Sequence, residues 1–177
     1  VPTLQPFNPA TLPPSNKEKK KMSREIVLAS IQSQIGEETH VSDWISVTQE
    51  MINGFADVTL DHQWIHIDPE KAATDSPYET TIAHGFLTLS LIPYLSGSVN
   101  PDKPRYPDVK MGVNYGLNRV RFPNAVAVGS QVRARVSPAE VEEVANNGLQ
   151  VVNKVTIEID GVEKPACVAE TVSRIYF

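Results

Sequence analysis

In the stretch FADVTLDHQWIHIDPEKA, Phe55 to Ala72, an aspartate and a histidine stand five residues apart, Asp61 and His66. A carboxylate and an imidazole facing one water could orient it and move protons to and from it, because histidine titrates near neutral pH. Their spacing does not bring them together in regular structure. Five residues is about 140° of rotation on a helix, and on a strand an odd separation sends side chains to opposite faces. The pair meets only if the backbone between them turns. Asp68-Pro69 marks a helix start after His66, which leaves DHQWIH as an irregular loop of the kind that often carries site residues. Two plainer readings stand beside this one: Asp61 as a cap or turn residue, and His66 as a hydrogen-bonded core histidine. A metal reading is also open, since His62 and His66 are four apart and share a helical face. Gln63 follows His62 where a zinc protease motif needs Glu, and no third ligand is evident, so no metal site is expected.

A second candidate element is TIAHGF, Thr81 to Phe86. Gly85 lies near the start of an apolar run where the first backbone N–H groups of a helix lack partners, and a glycine there lets a ligand oxygen approach the main chain. Such an N–H could stabilise an oxyanion. Gly85 could equally serve only for close packing. The imidazole of His84 could face the site or satisfy a free carbonyl.

The elements that must position these groups follow from periodicity. Val27, Leu28, Ile31 and Ile35 fall on one face of a helix that begins at Met22 and that Gly36 can close. Thr48 caps a second helix that turns Met51, Ile52 and Phe55 inward, after a short β-like piece at Trp44 to Val47. From Ile82 the apolar residues cover nearly every side of the wheel, so this third helix, capped by Thr80 or Thr81, should be buried all round and kinked or ended by Pro93. Past SGSVNPDKPRYPD the period becomes two. Met111, Val113, Tyr115 and Leu117 alternate with other residues as in a half-buried strand, and QVRARVS, VNKVTIEID and ACVAETVSRIYF continue the pattern. Asn147-Gly148 and Asp160-Gly161 are hairpin turn pairs, which makes the last three strands an antiparallel meander. A curved sheet wrapping the apolar helix would bury both, an α+β arrangement.

Composition sets the outer bounds. The chain has 177 residues, 41% hydrophobic and 21% charged, which suits one soluble domain with a sizeable core. Its 16 basic and 21 acidic side chains give a net charge of −5, so no electrostatic footprint for nucleic acid is expected. The run GFLTLSLIPYL is too short to span a bilayer, and no membrane role is expected. The lone cysteine, Cys167, cannot form an internal disulfide and points to a reducing, cytoplasmic setting. Residues 1–21, with five prolines and a basic end, read as a flexible leader rather than a secretory signal. Residues 22–177 then form a single domain.

Taken together, SDWISVTQEMINGFADVTLDHQWIHIDPEKA and SPYETTIAHGFLTLSLIPYL resemble the MaoC-like dehydratase family, whose best-understood members are (R)-specific enoyl-CoA hydratases, and in particular its NodN-like branch. The resemblance runs from about Gly36 to Pro123. It implies a hot-dog fold, with a long central helix wrapped by a curved antiparallel β-sheet, in a homodimer whose site lies near the subunit interface. By position, Asp61 and His66 match the catalytic pair, and Gly85 matches the glycine whose N–H binds the thioester oxygen. Many relatives carry Asn-Pro where this chain has Gln63 and Trp64; Gln63 keeps an amide that could position the water. The implied reaction is reversible syn addition of water to a trans-2-enoyl-CoA, giving a (3R)-hydroxyacyl-CoA. The acyl-CoA is the substrate, and no metal or redox cofactor is implied. Arg105, Lys110, Arg119 and Arg121 are candidates for the CoA phosphates, or are simply solvated charges. A dehydratase of another acyl thioester and a non-catalytic acyl-CoA-binding protein of the same fold are the alternatives.

Overall fold

A computed structural model describes residues 15–177 apart from 101, 103 and 107. Most of the expected leader, residues 1–14, lies outside the described residues. From Asn16 the chain is already helical. Ser15 and Glu18 exchange side-chain and main-chain hydrogen bonds in a capping box that starts α1 (Asn16–Ser33) six residues before Met22. Val27 and Ile31 are buried on its inner face, whereas Ile35 lies beyond the helix end and is exposed.

Two short strands, β1 (His40–Val41) and β2 (Ile45–Ser46), lead to α2 (Gln49–Thr59). Thr48 caps α2 by accepting from the Met51 N–H, and Ile52 and Ala56 are fully buried beneath it. Then come α3 (Trp64–Ile67) and α4 (Pro69–Asp75); Asp68 caps the latter, with proline in its first turn. The expected irregular loop is therefore shorter than DHQWIH, because His66 sits in the single turn of α3.

The apolar run does not begin its helix at Ile82. Residues 81–83 are extended: Ile82 N–H donates to the Ile65 carbonyl, Ala83 N–H to Val126, and Val128 N–H to Thr81. These long-range bonds delay the helix to α5 (Gly85–Ser90), with His84 rather than a threonine at the cap. A second short helix, α6 (Ile92–Leu95), follows after a break at Leu91, with Pro93 in its first turn. The long helix expected from sequence is thus two short pieces. Nor is it buried all round. Leu87, Ile92 and Leu95 face the core, while Phe86 and Tyr94 are mostly exposed.

Four long strands complete the chain: β3 (Met111–Arg121), β4 (Gln131–Val144), β5 (Gly148–Ile159) and β6 (Val162–Tyr176). All pairings are antiparallel, in the order β1-β4-β5-β6-β3, with β2 also on β4. The meander turns at Asn146 and Asn147, both at positive φ, one residue earlier than the expected Asn147-Gly148 pair, and again at Gly161. On β4, Val132, Ala134 and Val136 point inward and are fully buried. They join Val155, Ile157, Ile159, Cys167 and Ala169 under α2, α5 and α6. A second cluster forms where α1 covers Leu149, Val151 and Ile175. Strand β3 departs from expectation: Met111, Val113, Tyr115 and Leu117 are all exposed, because β3 is the sheet edge and no described element covers it.

Ile157 has no exposed surface at the centre of the main cluster. Ile157→Ala should lower unfolding free energy by about 2–5 kcal/mol in urea titration. Val58→Ala, at a position 80% exposed, should change it by no more than about 0.5 kcal/mol.

Candidate active site

The bend that sequence spacing demanded is found at Leu60. This residue ends α2 in the left-handed conformation, φ 63°, which is costly for a non-glycine side chain. The chain reverses there, and Asp61, His62 and Gln63 lead into α3. The result brings three groups together: an oxygen of Asp61 and one nitrogen each of His66 and His84 lie within 4.8 Å of one another. A single water can span such a separation.

Each member is held differently. His66 is buried, and its Nδ1–H donates to the main-chain carbonyl of Ile82 at 2.7 Å. That bond assigns the proton to Nδ1 and leaves the Nε2 lone pair available. Burial holds the pKa of His66 below the ordinary 6.5, and neighbouring His84 acts in the same direction; the bond to Ile82 and the charge of Asp61 offset them in part. Near pH 7 the ring is therefore a neutral base. The carboxylate of Asp61 is 57% exposed and can meet solvent and substrate. His84 is 3% exposed, stacks on His66 at 3.7 Å between ring centroids with planes 26° apart, and donates from Nε2 to the Asp61 carbonyl at 2.9 Å. Its Nδ1 is buried without a hydrogen-bond partner. Leaving such an atom unpaired costs about 1–3 kcal/mol.

Gln49 is a support that nothing in the sequence announced. From the first turn of α2 its amide donates to the His66 carbonyl at 2.7 Å and to Asn53, and its carbonyl oxygen accepts from the Thr81 hydroxyl. It thereby ties α2, α3 and the extended segment before Gly85. Gln63, a candidate for positioning water, is exposed at the cap of α3, where its side chain makes no capping bond.

A cavity of about 230 Å³ opens beside the cluster, lined among others by His66, Gly85, Thr88, Tyr78, Phe122 and Asn124. The N–H of Gly85, first in α5, has no intrahelical partner. A Cβ at Gly85 would stand 2.9 Å from the Phe122 ring, so both readings of this glycine have a physical basis: the close approach of Phe122 requires it, and its backbone faces the cavity. Phe122 and Asn124 come from the segment after β3 and carry no signal in sequence. None of Arg105, Lys110, Arg119 and Arg121 lines this cavity. Arg105 instead borders a separate space of about 610 Å³ beside α1, and donates to Thr39 Oγ1.

The two imidazoles stack with planes 26° apart, and with His84 Nε2 and His66 Nδ1 given to main-chain carbonyls, the ring nitrogens left over beside Asp61 are Nδ1 of His84 and Nε2 of His66. His62 does not share a face with His66; it is turned to solvent and pairs with Asp57 at 3.0 Å. Cys167 is no nucleophile here, as burial pushes its thiol up to about 11.

The chain is similar to known proteins in sequence and in fold. The MaoC like domain matches residues 30–159. A 3-hydroxyacyl-thioester dehydratase Z of Mycobacterium tuberculosis is 50% identical over 147 residues, 83% of this chain and 94% of that protein. Nodulation protein N of Rhizobium leguminosarum is 44% identical over 153 residues, 86% and 93% of the two chains. Among solved structures, an (R)-hydratase from A. caviae involved in PHA biosynthesis superposes with a TM-score of 0.61 at 25% identity, covering 77% of this chain and 95% of that one. The architecture is the hot-dog fold. With the match to the domain spanning most of the sequence, and relatives at this identity aligned over nearly their whole length, the chain belongs to the MaoC-like dehydratase family, a family of hydro-lyases.

Proposed function

We propose that this chain is an (R)-specific enoyl-CoA hydratase, acting in the cytoplasm as a homodimer. It adds water reversibly and syn to trans-2-enoyl-CoA, giving (3R)-hydroxyacyl-CoA. The observation that carries this reading is the convergence of Asp61 on His66, which together with Gly85 lines the cavity. The name of the mycobacterial relative, a 3-hydroxyacyl-thioester dehydratase, describes the same chemistry in reverse. That name leaves the thioester carrier open, so an acyl-carrier-protein substrate is the second reading.

In the hydration direction, Nε2 of neutral His66 accepts a proton as the water oxygen bonds to C3. Asp61 accepts a hydrogen bond from the water's other O–H, which stays in the product hydroxyl, and so orients it. Electron density shifts through the conjugated system to the thioester oxygen, where the Gly85 N–H donates, and C2 then takes the proton from His66 on the face where water added. Gln63, at the solvent edge, could help to position that water. The scheme draws on no metal or redox cofactor.

The exposed edge strand supports a dimer. An uncovered β3 bearing Met111, Val113, Tyr115 and Leu117, together with exposed Phe86 and Tyr94, is more apolar surface than a monomer usually leaves open. Light scattering of the purified protein should give twice the chain mass of 19.5 kDa. A Tyr115→Lys, Leu117→Lys double variant should shift it toward monomer.

Incubation with crotonyl-CoA and longer trans-2-enoyl-CoAs should consume the conjugated thioester absorbance and yield the 3R product, with the carrier-protein thioester run in parallel. Asp61→Asn and His66→Ala should each lower kcat/KM by roughly a hundredfold or more while circular dichroism stays native. Unchanged rates in both would refute the mechanism. The pH profile offers a separate check. Because the His66 pKa is lowered, its neutral form persists as pH falls, so the acid limb of kcat/KM should have its midpoint below 6.5.

A further inference from the structure

We infer that His84 is a positioning residue of this centre, holding Asp61 through its main chain and His66 through its ring so that both meet one water. The inference rests on the hydratase reading. It goes further, in giving the third member of the cluster a defined task.

A neutral imidazole has one donor and one acceptor nitrogen. His84 uses its donor, Nε2–H, on the carbonyl of Asp61, 23 residues earlier and next to the strained bend at Leu60. This bond closes the reversal from outside the loop. The faces of the ring are used as well: His66 stacks at 3.7 Å, and Phe55 packs at 5.1 Å with a 52° tilt. His66 is thus fixed at its edge by the Ile82 carbonyl and across its face by His84.

The unpartnered Nδ1 of His84 argues against a packing role alone. Leucine or phenylalanine would fill the space without burying an unsatisfied polar atom, so the histidine is retained for what its N–H and ring do. Sequence places His84 directly before Gly85, and the residue that holds the acid and base therefore also stands at the cap of the helix whose first residue lines the cavity. A shift of His84 would disturb all three groups together.

The test separates positioning from simple stability. His84→Phe keeps a ring but loses the donor. In His84→Gln the amide nitrogen is the same number of bonds from Cα as Nε2, so it can donate to Asp61 again. His84→Phe should lower kcat roughly a hundredfold, as expected when reacting groups are misplaced by about an ångström, with KM within about twofold. Its acid limb should shift, because burial is the largest cause holding the His66 pKa down, His84 adds to it and Asp61 opposes it, and exchanging the imidazole for a phenyl ring alters that balance. His84→Gln should recover at least about tenfold over His84→Phe. If His84→Phe melts earlier yet keeps wild-type kcat and acid limb, or if His84→Gln recovers nothing, the inference is overturned. Should His84→Phe not fold, His84→Asn, whose shorter amide cannot reach the Asp61 carbonyl, takes its place with the same expectations. If wild type turns over no enoyl thioester, it is the hydratase reading that fails. The His66 ring nitrogens, followed by ¹⁵N NMR, then decide on His84: a proton on Nδ1 in wild type and an altered titration in His84→Phe support positioning, and identical spectra defeat it.

Discussion

A reversal of the main chain at Leu60, closed by one hydrogen bond from His84 to the Asp61 carbonyl, is the constraint on which the rest of the site depends. Without it Asp61 would continue away from α2, and its carboxylate would not share a position with His66. The arrangement is economical because the donors are spent on main-chain carbonyls. Ile82 takes the Nδ1–H of His66 and Asp61 takes the Nε2–H of His84, so the ring orientations are set by backbone that the fold already holds rigid. Gln49 adds a third tie from α2.

That rigidity originates in the sheet. Strands β4, β5 and β6 present a continuous inward face of Val, Ile and Ala, against which α2, α5 and α6 are pressed. The segment before Gly85 is captured by Ile65, Val126 and Val128 as extended chain, and α5 cannot start until those bonds end. The helix therefore begins at the edge of the cavity rather than inside the packed core. Phe122 rests so near Gly85 that a Cβ there would stand 2.9 Å from its ring, and the two residues together form one wall of the cavity.

Surface and site are also linked. The same β3 whose end leads to Phe122 and Asn124 is the uncovered edge of the sheet, and Phe86 follows Gly85 directly. Phe86, one of the exposed apolar residues, meets Phe122 of the cavity wall edge to face, with ring centroids 5.9 Å apart. Among the described residues β3 pairs only with β6, and the helix that starts at Gly85 packs against that same strand.

Much of this was legible in the chain itself. Strict alternation in QVRARVS predicted Val132, Ala134 and Val136 as core because a two-residue period admits only one inward face, and Thr48 and Asp68 marked two helix starts by local hydrogen bonding alone. Asp61, His66 and Gly85 were identifiable as candidates by residue type, order and resemblance. Three expectations failed for reasons that no local pattern contains. The helix from Ile82 was delayed by hydrogen bonds to residues up to 47 positions away, β3 lost its burial because no described element covers it, and the apolar helix kept two aromatics in solvent. The stacking of His84 on His66 and the bridge made by Gln49 belong to the same class. Sequence by itself determined which groups were available and which elements would form, since propensity, caps and period act over a few residues. Tertiary structure alone decided which of those groups meet, because a contact between distant segments depends on where packing places both at once.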